Sequence, residues 1–201
     1  MCGLFAAKTK KALVELAQHN MHRGSRTHSV TGIKGGHLYV NRYDGEFSAD
    51  NVPDGYDFYI CHVQAPTSAH AKAHPAVVLR SESRRNFASC VWHNGILKDD
   101  YMKKQRYDWD TRHIADTFPQ SLDEYDGTFA CFYYALRELS VFRNEISPLF
   151  MSEDGDAFSS TRTIITPDAL EPNKVFNIDL TSFKMSLVRE FKTVENPYFF
   201  L

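Results

Sequence analysis

Cys2-Gly3-Leu4-Phe5-Ala6-Ala7 is an unbroken run of small and apolar residues, and it passes almost at once into Thr9-Lys10-Lys11-Ala12-Leu13-Val14-Glu15-Leu16-Ala17-Gln18-His19. The first run is too short for a helix and has no polar residue to mark a solvent face, so it reads as a buried strand. In the second, Ala12, Leu13, Leu16 and Ala17 recur at helical spacing, which gives an amphipathic helix over Thr9 to His19. A strand feeding a helix is followed by Thr27 to Tyr43, two β-prone runs joined at Gly35-Gly36. Both glycines accept the positive φ of a tight hairpin. Further strands are expected at Asp57 to Val63, Ala76 to Leu79 and Phe87 to Trp92. A second helix is expected between Trp109 and Phe118, opened by Asp110 as a capping residue.

From Thr128 onward the pattern is again one of strands. They are expected at Thr128 to Leu136, Leu139 to Arg143, Leu149 to Met151, Ala157 to Ser160, Lys174 to Asp179 and Phe183 to Arg189, mostly separated by Asp, Gly, Pro or Asn turns. Many strands with two helices set between groups of them predict an α+β fold of two stacked antiparallel sheets with helices on the outer faces. The 201 residues contain no Pro/Gly/Ser-rich linker, so residues 1–201 are read as one domain.

The formal net charge of -2 offers no electrostatic reason to expect a nucleic acid or an anionic membrane as partner. The basic clusters Lys8-Lys10-Lys11 and Lys103-Lys104-Arg106 read as solvated faces. No apolar run is long enough to cross a bilayer, and no basic region precedes the short apolar start, so a cytoplasmic location is expected. Four cysteines, Cys2, Cys61, Cys90 and Cys131, lie far apart and never as a Cys-x-x-Cys pair. No disulfide framework, zinc site or other cofactor is therefore expected. His70 and His74 stand four apart, but a loop is at least as plausible there as a helix, and no third metal ligand has suitable spacing. Cys61, Cys90 and Cys131 sit inside apolar runs and are read as small buried hydrophobes. Only Cys2 lacks that explanation.

Cys2 followed by a glycine permits removal of Met1, which would leave the thiol beside its own α-amine. With a reference pKa of about 7.7–8.0, that amine is a usable base near neutrality. His93-Asn94-Gly95 follows the run Ala88 to Trp92. If a strand ends there, it presents an amide side chain and an unencumbered backbone N–H at one turn, an arrangement suited to an oxyanion. The plain alternative is an ordinary Asn-Gly turn.

Taken in order, Met1-Cys2-Gly3, His22-Arg23-Gly24, His62-Val63-Gln64-Ala65-Pro66-Thr67, His93-Asn94-Gly95 and Trp109-Asp110-Thr111 resemble the class II glutamine amidotransferases, which are Ntn hydrolases. The resemblance is nearest to the glutaminase domains of amidophosphoribosyltransferase and glucosamine-6-phosphate synthase. Asp126-Gly127-Thr128-Phe129-Ala130, Ser147-Pro148-Leu149-Phe150 and Phe158-Ser159-Ser160 also look like strand landmarks of those domains and of asparagine synthetase. The resemblance implies a four-layer αββα sandwich with Cys2 as nucleophile at the end of a central strand. It further implies Asn94 and Gly95 as the oxyanion hole, Asp110 as the carboxylate for the substrate's α-ammonium group, Arg23 and Gly24 beside the nucleophile, and Thr67 in the substrate pocket. Where those synthases carry an arginine for the α-carboxylate of glutamine, this chain has Gln64. Either another cation serves, with Arg26 the one at hand, or the substrate is not free glutamine.

The implied activity is hydrolysis of glutamine or a related γ-glutamyl amide through a Cys2 thioester. With no synthase domain expected after Phe199-Phe200-Leu201, ammonia would pass to a separate acceptor protein, or the domain would act alone. The alternative is a non-catalytic binding or regulatory subunit that keeps the fold.

Overall fold

The computed structural model describes residues 2–65, 72–82 and 85–194. Its first strand, β1 (Gly3–Ala7), leads into α1 (Lys10–Asn20), whose amino end is capped by the Thr9 side chain accepting from the Ala12 N–H at 3.2 Å. Then follow β2 (Thr27–Lys34), β3 (His37–Asp44), β4 (Phe58–Gln64), β5 (Ala76–Glu82) and β6 (Arg85–Leu97). Two short helices, α2 (Asp99–Gln105) and α3 (Asp110–Thr117), lead to β7 (Gly127–Ala135) and β8 (Glu138–Arg143). The chain continues through β9 (Phe150–Met151), β10 (Ala157–Ser159), β11 (Asp168–Ala169), β12 (Lys174–Ile178) and β13 (Met185–Glu190).

The strands form two sheets, one ordered β11-β9-β10-β1-β4-β2-β3 and the other β13-β12-β8-β7-β6-β5. The pairings are antiparallel, including the β2–β3 hairpin, whose turn glycines Gly35 and Gly36 sit at φ +54° and +74°. Side chains alternate across each strand, so β1 divides its apolar residues between two layers. Leu4 and Ala6 face inward and meet Ile60, Trp92, Phe132 and Phe158 between the sheets. Phe5 and Ala7 face outward and pack under Leu13, Leu16 and Ala17 of α1. The second sheet does likewise, with Val91, Phe129 and Phe142 packing outward against Ile114 and Ala115 of α3. The result is helix, sheet, sheet, helix, the αββα sandwich, and because strands such as β1 are buried on both faces they read as unbroken apolar runs.

Three sequence expectations need correction. The strand at Phe87–Trp92 does not end before Asn94-Gly95. It runs on to Leu97, with Asn94 opposite Ala130 and Gly95 opposite Phe129 of β7, so these residues are strand and not turn. Asp110 is the first residue of α3 and not its cap; Trp109 holds the capping position without a side-chain bond. The helix α2 was not expected at all. Among the described residues, no helix is long and apolar enough to cross a membrane.

Candidate active site

Cys2 immediately precedes β1, which is flanked on both sides, by β10 and by β4. It has the same parity as Leu4 and Ala6 and so lies on the side of the strand that faces the second sheet. There it borders a cleft of about 330 Å³ that is also lined by Gln64, His74, His93, Gly95, Leu97, Tyr107, Trp109, Asp110 and Thr111. The far wall includes Asp99, Met102 and Lys103 of α2. Burial pushes the Cys2 thiol pKa above its ordinary value, although the Ala65 backbone N–H and the Arg23 guanidinium act the other way.

Gly95 borders the cleft because β6 presses against β7 here. At φ +152° its backbone is in a region that side-chain-bearing residues rarely adopt, and a Cβ would fall 2.0 Å from the Thr128 carbonyl oxygen. Asn94, 1% exposed, projects to the inter-sheet side with Trp92, the side on which Cys2 lies. Its Oδ1 has no hydrogen-bond partner among the described residues.

Asp110 is fixed from three directions. Its Oδ1 accepts from the Thr111 N–H at 2.7 Å, its Oδ2 accepts from the Leu97 N–H at 3.3 Å, and His93 Nδ1 lies 3.7 Å from Oδ2. Burial acts to raise its pKa, but His93 and the two backbone donors outweigh it and hold the carboxyl below its ordinary range. It is thus an anion at the cleft wall at neutral pH.

Three histidines brace this wall. The rings of His62 and His74 stack with centroids 3.7 Å apart, His62 Nε2 donates to the His93 carbonyl at 3.1 Å, and His74 Nε2 lies 3.1 Å from Thr111 Oγ1. His93 uses both ring nitrogens, Nδ1 toward Thr111 Oγ1 and Nε2 toward the Thr128 carbonyl, each at 3.3 Å. Burial lowers the pKa of His62 to about 3 and that of His74 well below its ordinary value, so both are neutral. No proton acceptor for the Cys2 thiol is evident among them: the nitrogens of His93 are occupied, and a buried neutral His74 resists protonation.

Two solved structures share this architecture. Glutamine phosphoribosylpyrophosphate amidotransferase from B. subtilis, complexed with ADP and GMP, matches over 94% of this chain and 50% of its own, with a TM-score of 0.69 and 19% identity. The structure of the allosteric regulatory enzyme of purine biosynthesis matches over 93% and 49%, with a TM-score of 0.66 and 18% identity. The αββα fold is the one the B. subtilis amidotransferase structure contains. At these identities the likeness is one of fold, and the chain spans about half the length of the structures it matches. No protein-family model and no curated protein sequence matches it.

Within the amidotransferase fold, the residues singled out from sequence fall into three groups. Cys2, Gln64, Gly95 and Asp110 border one cleft, whereas Asn94, next to Gly95 in the chain, is buried and is not part of the lining. Arg23 and Gly24 do not line it. Arg23 donates from Nε to the Cys2 carbonyl at 2.9 Å and from Nη1 to the Ser160 carbonyl at 3.2 Å, tying the start of β1 to the end of β10. Gly24 lies so close to the end of β4 that a Cβ would fall 2.4 Å from the Gln64 carbonyl carbon. Thr67 and His70 lie outside the described residues. Arg26 is exposed and is not part of the cleft lining, while its backbone N–H donates to the Gln64 carbonyl. The sequence reading missed the bracing histidines and the α2 wall. For His62, a signal was available: it shares the parity of Phe58, Ile60 and Gln64 in an apolar strand and so had to point inward.

Proposed function

We propose that this protein hydrolyses a side-chain carboxamide, that of glutamine or a γ-glutamyl amide, with Cys2 as the nucleophile. The observation that carries the reading is the convergence of Cys2, Gly95 and the ionised Asp110 on one cleft at the end of a central strand in this fold. Removal of Met1 gives Cys2 a free α-amine, a base that the described histidines of the cleft wall do not supply. The amine takes the thiol proton, and the sulfur attacks the amide carbon. The resulting oxyanion is held by the Asn94 side-chain amide and the Gly95 N–H. Collapse breaks the carbon–nitrogen bond, the departing nitrogen takes the proton from the α-ammonium, and ammonia leaves. Water then attacks the thioester, releasing the acid and restoring the thiol. The balance is amide plus water to acid plus ammonia, with Asp110 holding the substrate's α-ammonium throughout. The ammonia goes to a separate acceptor protein or to solvent.

Mass spectrometry of the purified protein should show Met1 absent, and diazo-oxo-norleucine should add to Cys2. Cys2→Ser should lose nearly all ammonia release while keeping the parent melting temperature, because a hydroxyl is a far poorer nucleophile at neutral pH. Release at the parent rate from Cys2→Ser would show that the nucleophile is another group.

A further inference from the structure

The chemistry of the cleft wall says more about the substrate than that it carries a carboxamide. Gln64 borders the cleft at 3% exposure, and its amide is already committed. Its Oε1 accepts from Thr27 Oγ1 at 2.7 Å, and its Nε2 donates to the Lys72 carbonyl at 3.0 Å. One N–H is left to meet a ligand, and it carries no charge.

Cationic help is scarce among the described residues of the wall. Lys103 is the one lysine or arginine lining the cleft; its side chain is 76% exposed, and Nζ lies 3.3 Å from Asp100. Lys72 turns its ammonium toward Asp108, at 3.4 Å. The Arg23 guanidinium does not line the cleft and is held through Nε and Nη1 on the Cys2 and Ser160 carbonyls, its Nη2 having no partner among the described residues; residues 66–71 contain no lysine or arginine. Acids outnumber cationic side chains in the lining, because Asp99, Asp108 and Asp110 border the cleft beside Lys103, although Asp108 is already paired with Lys72. Such a wall attracts a cation and repels a carboxylate.

From this we infer that the site prefers a glutaminyl group whose α-amine is free and whose α-carboxyl is already tied up in an amide bond, as in the first residue of a peptide, over free glutamine. The inference rests on the carboxamide hydrolysis proposed above. Free glutamine would bring an anion to a wall of acids and offer it a neutral amide. An amide-linked glutaminyl group brings a net positive charge instead, and its α-carbonyl oxygen is a neutral acceptor suited to the remaining Gln64 N–H.

The test is a comparison on the parent protein of glutamine, glutamine α-amide, glutaminyl-glycine amide and N-acetylglutamine α-amide. The readout is the glutamyl product by mass spectrometry, because spontaneous cyclisation of an amino-terminal glutamine also releases ammonia. We expect kcat/KM for the first two amides to exceed that for glutamine by roughly 3- to 30-fold, because each brings a net positive charge to the acidic wall where glutamine brings a zwitterion. The acetylated compound, which has no ammonium for Asp110, should be the poorest amide of the three. Glutamine turned over as well as or better than its α-amide would overturn this inference and leave the hydrolysis itself standing. No glutamyl product from any of the four would overturn the proposed reaction and this inference with it. Gln64→Arg, where it folds with the parent melting temperature, should reverse the ranking; an unchanged ranking would remove Gln64 from the account. The parent panel decides the substrate class even if that variant does not fold.

Discussion

Asn94 is 1% exposed and has an Oδ1 with no partner among the described residues, in a position where an apolar residue would pack at no such cost. Leaving a buried polar atom unanswered costs about 1–3 kcal/mol, so Asn94 gains the fold little through that atom, and the oxyanion role proposed above would fall to its Nδ2 donor. Asn94→Ala should therefore lower kcat by about 10²–10³-fold with KM nearly unchanged and the melting temperature close to the parent's. Steady-state kinetics with a thermal melt checks both halves, and a rise in KM as large as the fall in kcat would make Asn94 a ground-state contact. Much at this scale was legible in advance. Cys61, Cys90 and Cys131 are buried as their apolar surroundings implied, and Cys2 is the half-buried exception. Roles that depend on which backbone lies alongside were not legible. Nothing in His22-Arg23-Gly24 announces that the guanidinium will reach carbonyls on two strands, one of them 137 positions away.

At the level of elements, the strand that carries the oxyanion candidates was read too short. Asn-Gly is a turn signal in isolation, and here it is overridden by pairing with β7, which uses the unusual backbone of Gly95 to keep the strand running past the cleft. Gly95→Ala should be among the more damaging single substitutions in the protein. The strained φ alone costs about 1–3 kcal/mol, and the approach to Thr128 adds to it. Chemical denaturation should show that loss, and activity should fall further than stability accounts for because the proposed Gly95 oxyanion donor is displaced. A variant as stable as the parent would show that the β6–β7 pairing yields easily here. The helix α2 was missed although a signal was present: Asp99 and Asp100 stand in its first turn and Lys103 and Lys104 in its last, matching the helix dipole at both ends. Its seven residues include little apolar material beyond Met102 and the partly buried Tyr101, so hydrophobic periodicity had almost nothing to report. The longer elements, α1 and the β2–β3 hairpin, carried full signals and were placed within a residue or two.

For the molecule as a whole, the bracing histidines make acid sensitivity a property of the fold. His62 and His74 are neutral when folded, with His62 at about 3 and His74 also well below its ordinary value, whereas in the unfolded chain each takes a proton near pH 6.5. The stability they contribute is fully present above pH 6.5 and is lost as pH falls toward the folded values, by about 1.4 kcal/mol per pH unit for each histidine. Asp110, its folded pKa also depressed, adds a further loss only below the ordinary carboxylate range. Denaturation free energies measured between pH 7 and 5 should fall steeply, and His62→Gln, which keeps a donor for the His93 carbonyl, should flatten the fall by about one histidine's share. A parallel slope in that variant would sink the account. The four-layer order itself was legible from unbroken apolar runs broken by two helices, because burial on both faces leaves that pattern in the sequence. Which end of which strand would meet the other sheet was not. That arrangement has a practical side for anyone making the protein. Since Cys2, just ahead of β1, borders the cleft, an affinity handle fused before residue 2 would crowd the cleft and cap the amine, blocking the proposed reaction in a preparation that is well folded. A tag placed there would hide the proposed hydrolysis from any assay.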